Sequence, residues 1–388
     1  MKLEAHWHYP TDIRVGAGCL SFIAQYCASL NITKALLVTD SQLAGFPMVK
    51  QAQQLCEKSQ IQCDIFSQIA SDPTDENITL GANIVNQKGI NGIIALGGGA
   101  SLDAAKAIAL SAKQNLALWD LEDVGDNWIH IQGDKILPLI AVPTTAGTGS
   151  EVGRATVITD LQGQYPRKRM LFHPQLMPKC VLLDPLLTLA LPPHITAATG
   201  MDALSHLLEA YCSPIFHPMA EGIAIEGIKR IKYFLPIAFL DGNNIEARMQ
   251  MLVASTMGAT AFQRGLGAMH ALAHTLGALY GKHHGLLNAI LMPYVLKRNQ
   301  AVIEDKMIHL ATCLGFEHPS MGGFIDWILA LRSHLDIPHT LALIDIDLRD
   351  AKLTGQMSVD DAAAATNPII LSAEEYTALF TDAVEGRL

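Results

Sequence analysis

Nothing in this sequence points to a disulfide frame, a membrane span or a nucleic-acid partner. Its seven cysteines, at 19, 27, 56, 63, 180, 212 and 313, include no Cys-x-x-Cys pair. That scatter is expected of reduced thiols in a cytoplasmic protein. No apolar run approaches the roughly 20 residues needed to cross a bilayer. The opening Met-Lys-Leu-Glu-Ala-His-Trp-His lacks the apolar core of a signal peptide. Charge is scarce too: 16% of residues are charged and 50% are hydrophobic, which excludes disorder as the main state. The balance of that charge is acidic, −10 at neutral pH, which argues against nucleic acid or an anionic membrane as partner. Internal repeats and low-complexity linkers are also missing.

What is present is a chain of 388 residues, too long for one core of the usual size, so two domains are expected. In the first half, apolar strand-like runs at Ala35–Thr39, Cys63–Phe66, Gly92–Leu96 and Leu137–Val142 alternate with helix-like stretches over 46–58, 74–88 and 101–112. Short continuous apolar strands separated by helices predict a parallel sheet covered on both faces, a doubly wound α/β domain. After Pro185 the strand-like runs stop, and amphipathic helices follow to the end. The expectation is therefore an α/β domain over 1–184 and an all-helical domain over 185–388. A short turn near Leu183-Asp-Pro-Leu186 would join them, with a ligand expected in the cleft between the two.

The helical half carries polar residues at helical spacing. Asp202 and His206 lie four apart, as do His270 and His274, and a Gly-Lys-His-His284-Gly turn follows. Residues four apart share a helix face. A carboxylate and several imidazoles brought together suit a borderline divalent metal such as Zn²⁺ or Fe²⁺. Two plainer readings compete. Thr199-x-x-Asp202 fits a helix-capping box, and His270 and His274, set among Met269, Leu272 and Leu276, fit satisfied core histidines. Against the second, two stacked imidazoles with no acid nearby in sequence want a common partner.

Three stretches of the α/β half suit a nucleotide. Gly97-Gly-Gly-Ala-Ser101-Leu-Asp103-Ala-Ala-Lys106 follows an apolar strand and opens a helix, where glycines admit a phosphate to free backbone N–H groups. It departs from the Gly-x-Gly-x-x-Gly fingerprint, because Leu102 stands at the third glycine. Pro143-Thr-Thr-Ala-Gly-Thr-Gly-Ser-Glu151 also follows a strand and reads as a second lining loop or as a polar loop with capping threonines. Asp40, after the Ala35–Thr39 run, could accept hydrogen bonds from a ribose and repel a 2′-phosphate, or simply cap a helix after the strand.

Together these segments resemble the iron-containing (group III) alcohol dehydrogenase family. The likeness runs from Arg14-Val-Gly-Ala-Gly18 to Asn367-Pro368 and includes Ala198-Thr-Gly-Met-Asp202-Ala-Leu-Ser-His206, Gly265-Leu-Gly-Ala-Met-His270, His284-Gly285 and Asn288-Ala289. It implies metal ligands at Asp202, His206, His270 and His284, with Fe²⁺ ahead of Zn²⁺. It also implies nicotinamide-cofactor contacts at Asp40, Gly98, Gly99, Ala100, Thr144, Thr145, Lys168 and Leu183. Ser101 and Asp103 belong to the same segment and are counted with them. His274 matches a histidine beside the substrate, where it would pass the alcohol proton toward solvent or hold His270 in place. Two departures stand out. Ala100 replaces a common serine, and Asp72 stands where asparagine is common before Pro-Thr.

The resemblance implies hydride transfer between NAD, in preference to NADP, and a small alcohol or aldehyde polarised by the metal. A homo-oligomer without nucleic-acid or membrane partners is expected. A dehydroquinate synthase-like lyase is the rival, and would need more cationic residues around the site. Arg264, six residues before His270, could hold a substrate carboxylate if Gly265 and Gly267 bend the chain, favouring a hydroxy acid. As a solvated arginine, or one ion-paired with a surface acid, it would do nothing of the kind.

Overall fold

Residues 11–70, 72–162 and 165–388 are described by a computed structural model. The chain divides into two compact units, one ending at Ala190 and the other running from Leu191 to Leu388.

The first unit is built on six parallel strands. In chain order its elements are β1 (Asp12–Val15), α1 (Ile23–Ser29), β2 (Lys34–Val38), α2 (Pro47–Lys58), β3 (Gln62–Phe66), α3 (Asp75–Lys88), β4 (Gly92–Gly97) and α4 (Gly99–Ser111). There follow β5 (Leu139–Pro143), β6 (Ala155–Asp160), β7 (Arg167–Phe172) and β8 (Cys180–Leu183). The sheet order is β1-β8-β5-β4-β2-β3, and every pairing is parallel. The central strands β4, β5 and β8 are buried throughout, which is why they read as unbroken apolar runs. The edge strand β1 is half exposed, and its Asp-Ile-Arg-Val pattern carries no such signal. A short turn at Pro185–Thr188 follows β8 and belongs to this unit.

Strands β6 and β7 form a separate antiparallel pair. Arg167-Lys-Arg169 lies outside the apolar strand-like runs of the sequence, but Arg169 is satisfied in place. Its guanidinium pairs with Glu122 and with Asp160 at 2.9 Å and lies over the Trp119 ring at 4.4 Å.

The chain leaves β2, adds β3 on one side, then returns to place β4 on the other side of β2. In such sheets ligands bind outside the carboxyl ends of the strands where the order reverses. Asp40 follows β2 and the glycine cluster follows β4, so both stand at that edge.

The second unit is helical, with no strand among its described residues. It contains α5 (Pro193–Cys212), α6 (Pro218–Leu240), α7 (Ile245–Ala261), α8 (Ala268–Tyr280), α9 (His284–Cys313), α10 (Met321–His334), α11 (Ala351–Val359) and α12 (Ala373–Glu385). Helix α5 is its centre, packed by α6, α7 and α9 and buried without a break from Thr196 to Cys212. It starts at Pro193, where proline suits the first turn. Thr199 and Asp202 are therefore interior, which overturns the capping-box reading. The Thr199 hydroxyl donates to the Ile195 carbonyl at 2.8 Å instead.

Candidate functional site

A helix buried on every side has no use for polar residues unless they meet partners. Helix α5 nevertheless carries Asp202, His206 and Glu209, at i, i+4 and i+7, on one stripe. Helix α8 supplies His270, 1% exposed, and His284 is the first residue of α9. One ligand atom from each of Asp202, His206, His270 and His284 lies within 4.8 Å of the others. Tetrahedral bonds of about 2.1 Å would set ligand atoms about 3.4 Å apart, and His284 Nε2 already stands 3.6 Å from Asp202 Oδ1. The donor set of one carboxylate and three imidazoles fits a borderline divalent cation with little adjustment.

Glycine makes this approach feasible. A Cβ on Gly285 would fall 2.3 Å from the Ala198 carbonyl oxygen and 2.9 Å from Asp202 Cβ, so a side chain there would push α9 and His284 away from α5.

Protonation suits ligation as well. Burial favours the neutral acid at Asp202, yet His206, His284, His270 and Asn288 hold its carboxyl down at about 2. Burial also holds His284 well below the usual imidazole range, despite Asp202, and the neighbouring imidazoles add to the effect. The neutral ring is the form that ligates. Asn288 Nδ2 donates toward Asp202 Oδ1 at 2.9 Å and approaches His284 Nε2 at 3.1 Å and His270 Nε2 at 3.3 Å, cross-linking three of the four residues.

Glu209 is the residue sequence reasoning missed. One oxygen accepts from Gly267 N at 2.8 Å and contacts His270 Nδ1 at 2.6 Å, and the other accepts from Met269 N at 2.7 Å. The carboxylate thus caps α8, whose own N-cap is a glycine without a side chain. It also holds the Nδ1 proton of His270, which turns Nε2 toward the cluster. The legible signal was its place on the Asp202–His206 stripe. The two α8 imidazoles do not share a partner as the sequence suggested. His274 Nδ1 has its own, Asp361 Oδ2, at 3.0 Å.

Arg264 does not wait for a substrate carboxylate. It is 4% exposed and donates to the carbonyls of Ile215 and Tyr211 at 2.5 and 3.1 Å. It also pairs with Glu221 at 2.6 Å. Each of its three guanidinium nitrogens is engaged by the protein, which corrects the cleft reading and the solvated one, while the ion pair with an acid is present, to Glu221.

The α/β unit gathers the other expected residues along the carboxyl edge of its sheet. Gly97 ends β4 with φ +155°, where a Cβ would strike the Ser101 side chain at 2.4 Å. Helix α4 begins directly after Gly98, so the N–H groups of Gly99, Ala100 and Ser101 precede its first intrahelical bond, from Leu102 N to Gly98 O. The neighbouring loop is joined to it through Thr144 N and the Gly97 carbonyl at 2.9 Å. Thr145 lies beside Gly98, where an added Cβ would stand 3.3 Å from its hydroxyl. Leu183 ends β8 on the same edge.

Asp40 accepts from Gln42 N and Leu43 N, each at 2.9 Å, and from the Ser101 hydroxyl at 3.2 Å. It therefore caps a turn and also reaches the start of α4. Asp103 is engaged within the protein. Its carboxylate pairs with Ser150 Oγ, accepts from Val157 N at 3.3 Å and faces Lys106 at 3.7 Å, tying α4 to β6. Lys168, on β7, is paired with Asp72.

Comparison with known proteins places this architecture among oxidoreductases. The profile "Iron-containing alcohol dehydrogenase" matches residues 10–185, and "Fe-containing alcohol dehydrogenase family, C-terminal" matches 196–384. The chain is 35% identical to 4-hydroxybutyrate dehydrogenase of Cupriavidus necator over 381 residues, covering 95% of this chain and 97% of that one. The crystal structure of a 1,3-propanediol oxidoreductase superposes with a TM-score of 0.92 at 31% identity, covering 98% of this chain and 100% of that one. Sulfoacetaldehyde reductase from Bifidobacterium kashiwanohense, solved in complex with NAD+, superposes with a TM-score of 0.87 at 26% identity, covering 98% and 99%. The protein is an enzyme, an oxidoreductase of alcohols and their carbonyl partners. It belongs to the iron-containing alcohol dehydrogenase family.

Proposed function

We propose that this enzyme interconverts a small primary alcohol and its aldehyde, using NAD(H) and a divalent cation held by Asp202, His206, His270 and His284. Fe²⁺ is the cation favoured and Zn²⁺ the alternative. The observation that carries the reading is the convergence of those four ligand atoms within 4.8 Å, three of them on buried residues and His284 on a partly exposed one. The cation would supply Lewis-acid polarisation of the substrate oxygen, and the nicotinamide would take or give the hydride.

The chain's own residues do the rest. Glu209 and Asn288 orient the ligands, and ionised Asp202 supplies the one anionic donor. The bare N–H groups at the start of α4 suit the pyrophosphate, supported by Gly98, Gly99, Ala100, Ser101, Thr144 and Thr145. Asp103 supports this loop from behind rather than touching the cofactor. Lys168 and Leu183 complete the cofactor set, with Lys168 giving up Asp72 to do so. Asp40 favours NAD over NADP, because a 2′-phosphate would meet its carboxylate. His274 exchanges the substrate's hydroxyl proton. The seven unpaired cysteines fit work in the reducing cytoplasm, and a homo-oligomer is expected there, which light scattering measures.

The test is reduced-nicotinamide absorbance with a panel of alcohols and aldehydes, alongside metal analysis of protein purified without oxygen. Turnover with NAD(H) and about one cation per chain is the expected result. A protein that binds the dinucleotide but neither oxidises nor reduces any member of the panel would end the reading. A hydroxy acid as substrate is favoured by the 4-hydroxybutyrate dehydrogenase likeness, and 4-hydroxybutyrate therefore belongs in the panel beside 1-butanol. With Arg264 committed elsewhere, its carboxylate would need a different cation.

A further inference from the structure

Helix α8 carries His270 and His274 one turn apart, and each Nδ1 faces a carboxylate from a distant part of the chain. The partner of His274 is Asp361, 87 residues away, and its side chain is 14% exposed against 20% for His274. Asp361 is not a free surface acid that happens to lie near. Its Oδ1 accepts from Ala363 N at 2.8 Å, capping the single turn Ala362–Thr366. That turn is fastened to the approach and start of α8. Thr366 Oγ1 donates to the Leu266 carbonyl at 2.7 Å, and Asn367 Oδ1 accepts from Ala268 N at 3.1 Å. With Oδ1 fixed by the turn and the turn fixed to α8, Oδ2 is left at hydrogen-bond distance from His274 Nδ1.

On its other side, the His274 ring lies flat against His284, with centroids 5.1 Å apart and 15° between planes. Its orientation is therefore set from two directions. A carboxylate can only accept, so a neutral imidazole beside it carries its proton on Nδ1 and leaves Nε2 as a bare lone pair.

We propose that Asp361 is the positioning residue for His274, holding it in the Nδ1–H tautomer so that Nε2 can take the hydroxyl proton of the substrate. The inference rests on the role given to His274 under the proposed function. In the oxidative direction the substrate O–H bond breaks and an Nε2–H bond forms. The hydride leaves separately to the oxidised nicotinamide, and the positive charge gained by the ring faces Asp361. Reduction runs the same transfer backwards.

The discriminating variant is Asp361→Asn. Its amide oxygen can still cap Ala363, but its NH₂ would face His274 Nδ1 as a donor and force the proton to Nε2. The experiment records ¹⁵N–¹H spectra of zinc-loaded, ¹⁵N-histidine protein, with the His274 signals assigned by their loss in His274→Gln. Kinetics use the fastest substrate of the panel. The expected result is Nδ1–H in wild type and Nε2–H in Asp361→Asn. The variant's kcat should fall about 10²- to 10⁴-fold, with KM and metal content near wild type.

Asp361→Glu, which restores the acceptor, should recover the tautomer and part of kcat. It also decides the matter if Asp361→Asn fails to fold. An Nε2–H tautomer in wild type would overturn the proposal, as would an Asp361→Asn enzyme with undiminished kcat or an Asp361→Glu enzyme that recovers neither property. A His274→Gln enzyme as fast as wild type would instead count against the role of His274 itself. Slow His274→Gln with fast Asp361→Asn counts against Asp361 alone.

Discussion

His270 and His284 both face the cluster, but their removal exposes different things. His270 is buried against Glu209, so His270→Ala takes a ligand and also strips a buried carboxylate of one partner. Among the described residues His284 has no such acid hydrogen-bonded at its back, and it begins a helix. Both alanine variants should lose bound metal and activity, since three donors hold a cation weakly. His270→Ala should also melt lower than His284→Ala. Metal analysis and thermal melts check both points, and full metal with normal turnover in both would remove these residues from the centre. Asp40 makes a similar double claim. Asp40→Gly should narrow the preference for NAD(H) by improving use of NADP(H). Because Asp40 also accepts from two backbone N–H groups, the variant should lose about 0.5–2 kcal/mol of stability, as lost caps do. Comparing kcat/KM for the two cofactors and the denaturant midpoints tests each half separately.

At the scale of elements, the start of α8 is where folding and chemistry are most tightly joined. Its first backbone donors are satisfied by Glu209 from α5 and by Asn367 from beyond the Ala362–Thr366 turn. Glu209→Ala would leave Gly267 N–H, Met269 N–H and His270 Nδ1 without acceptors. Each orphaned buried donor costs about 1–3 kcal/mol, so a loss of about 3 kcal/mol or more is expected in metal-free protein, read from urea unfolding. Glu209→Gln keeps one acceptor and should fall between. In both variants metal affinity should drop about 10- to 100-fold, the usual effect of losing the partner of a ligating histidine. Chelator competition measures this, and unchanged affinity in Glu209→Ala would mean that its role is capping alone.

For the molecule as a whole, all four candidate ligands belong to the helical unit and the glycine-rich loops to the α/β unit. Metal-free protein should therefore still bind NADH, as quenching of its fluorescence or a shift in emission would show. Free cation at a hundred times its Kd should stabilise the protein by about 2.7 kcal/mol, visible as a concentration-dependent Tm. Arg264→Met belongs at this scale too, because the arginine joins α5, the segment before α6 and Glu221 within α6. A loss of about 2–3 kcal/mol is expected, below the full cost of breaking a buried pair, because Lys306 still pairs with Glu221. Activity on neutral and carboxylated substrates should change equally, and a selective loss for the carboxylated one would return Arg264 to the substrate.

What the sequence alone determined was whatever local repetition records. The buried strands β2, β4 and β5 announced themselves as continuous apolar runs. The glycines before α4 marked a helix start with free backbone N–H groups. The four-residue steps from Asp202 to His206 and from His270 to His274 reported shared helix faces, because a helix repeats every 3.6 residues. The edge strand β1 and the charged strand β7 were illegible, since half-exposed strands need no apolar run and Arg169 finds its partners only in space. The acids behind the histidines were decided by tertiary structure. Glu209 lies 61 residues from His270 and Asp361 lies 87 from His274, distances at which no periodicity links one residue to another. Arg264 shows the same limit, for only packing could commit each of its donors. A buried polar group must find a partner, but chain folding, not spacing, decides which one it meets.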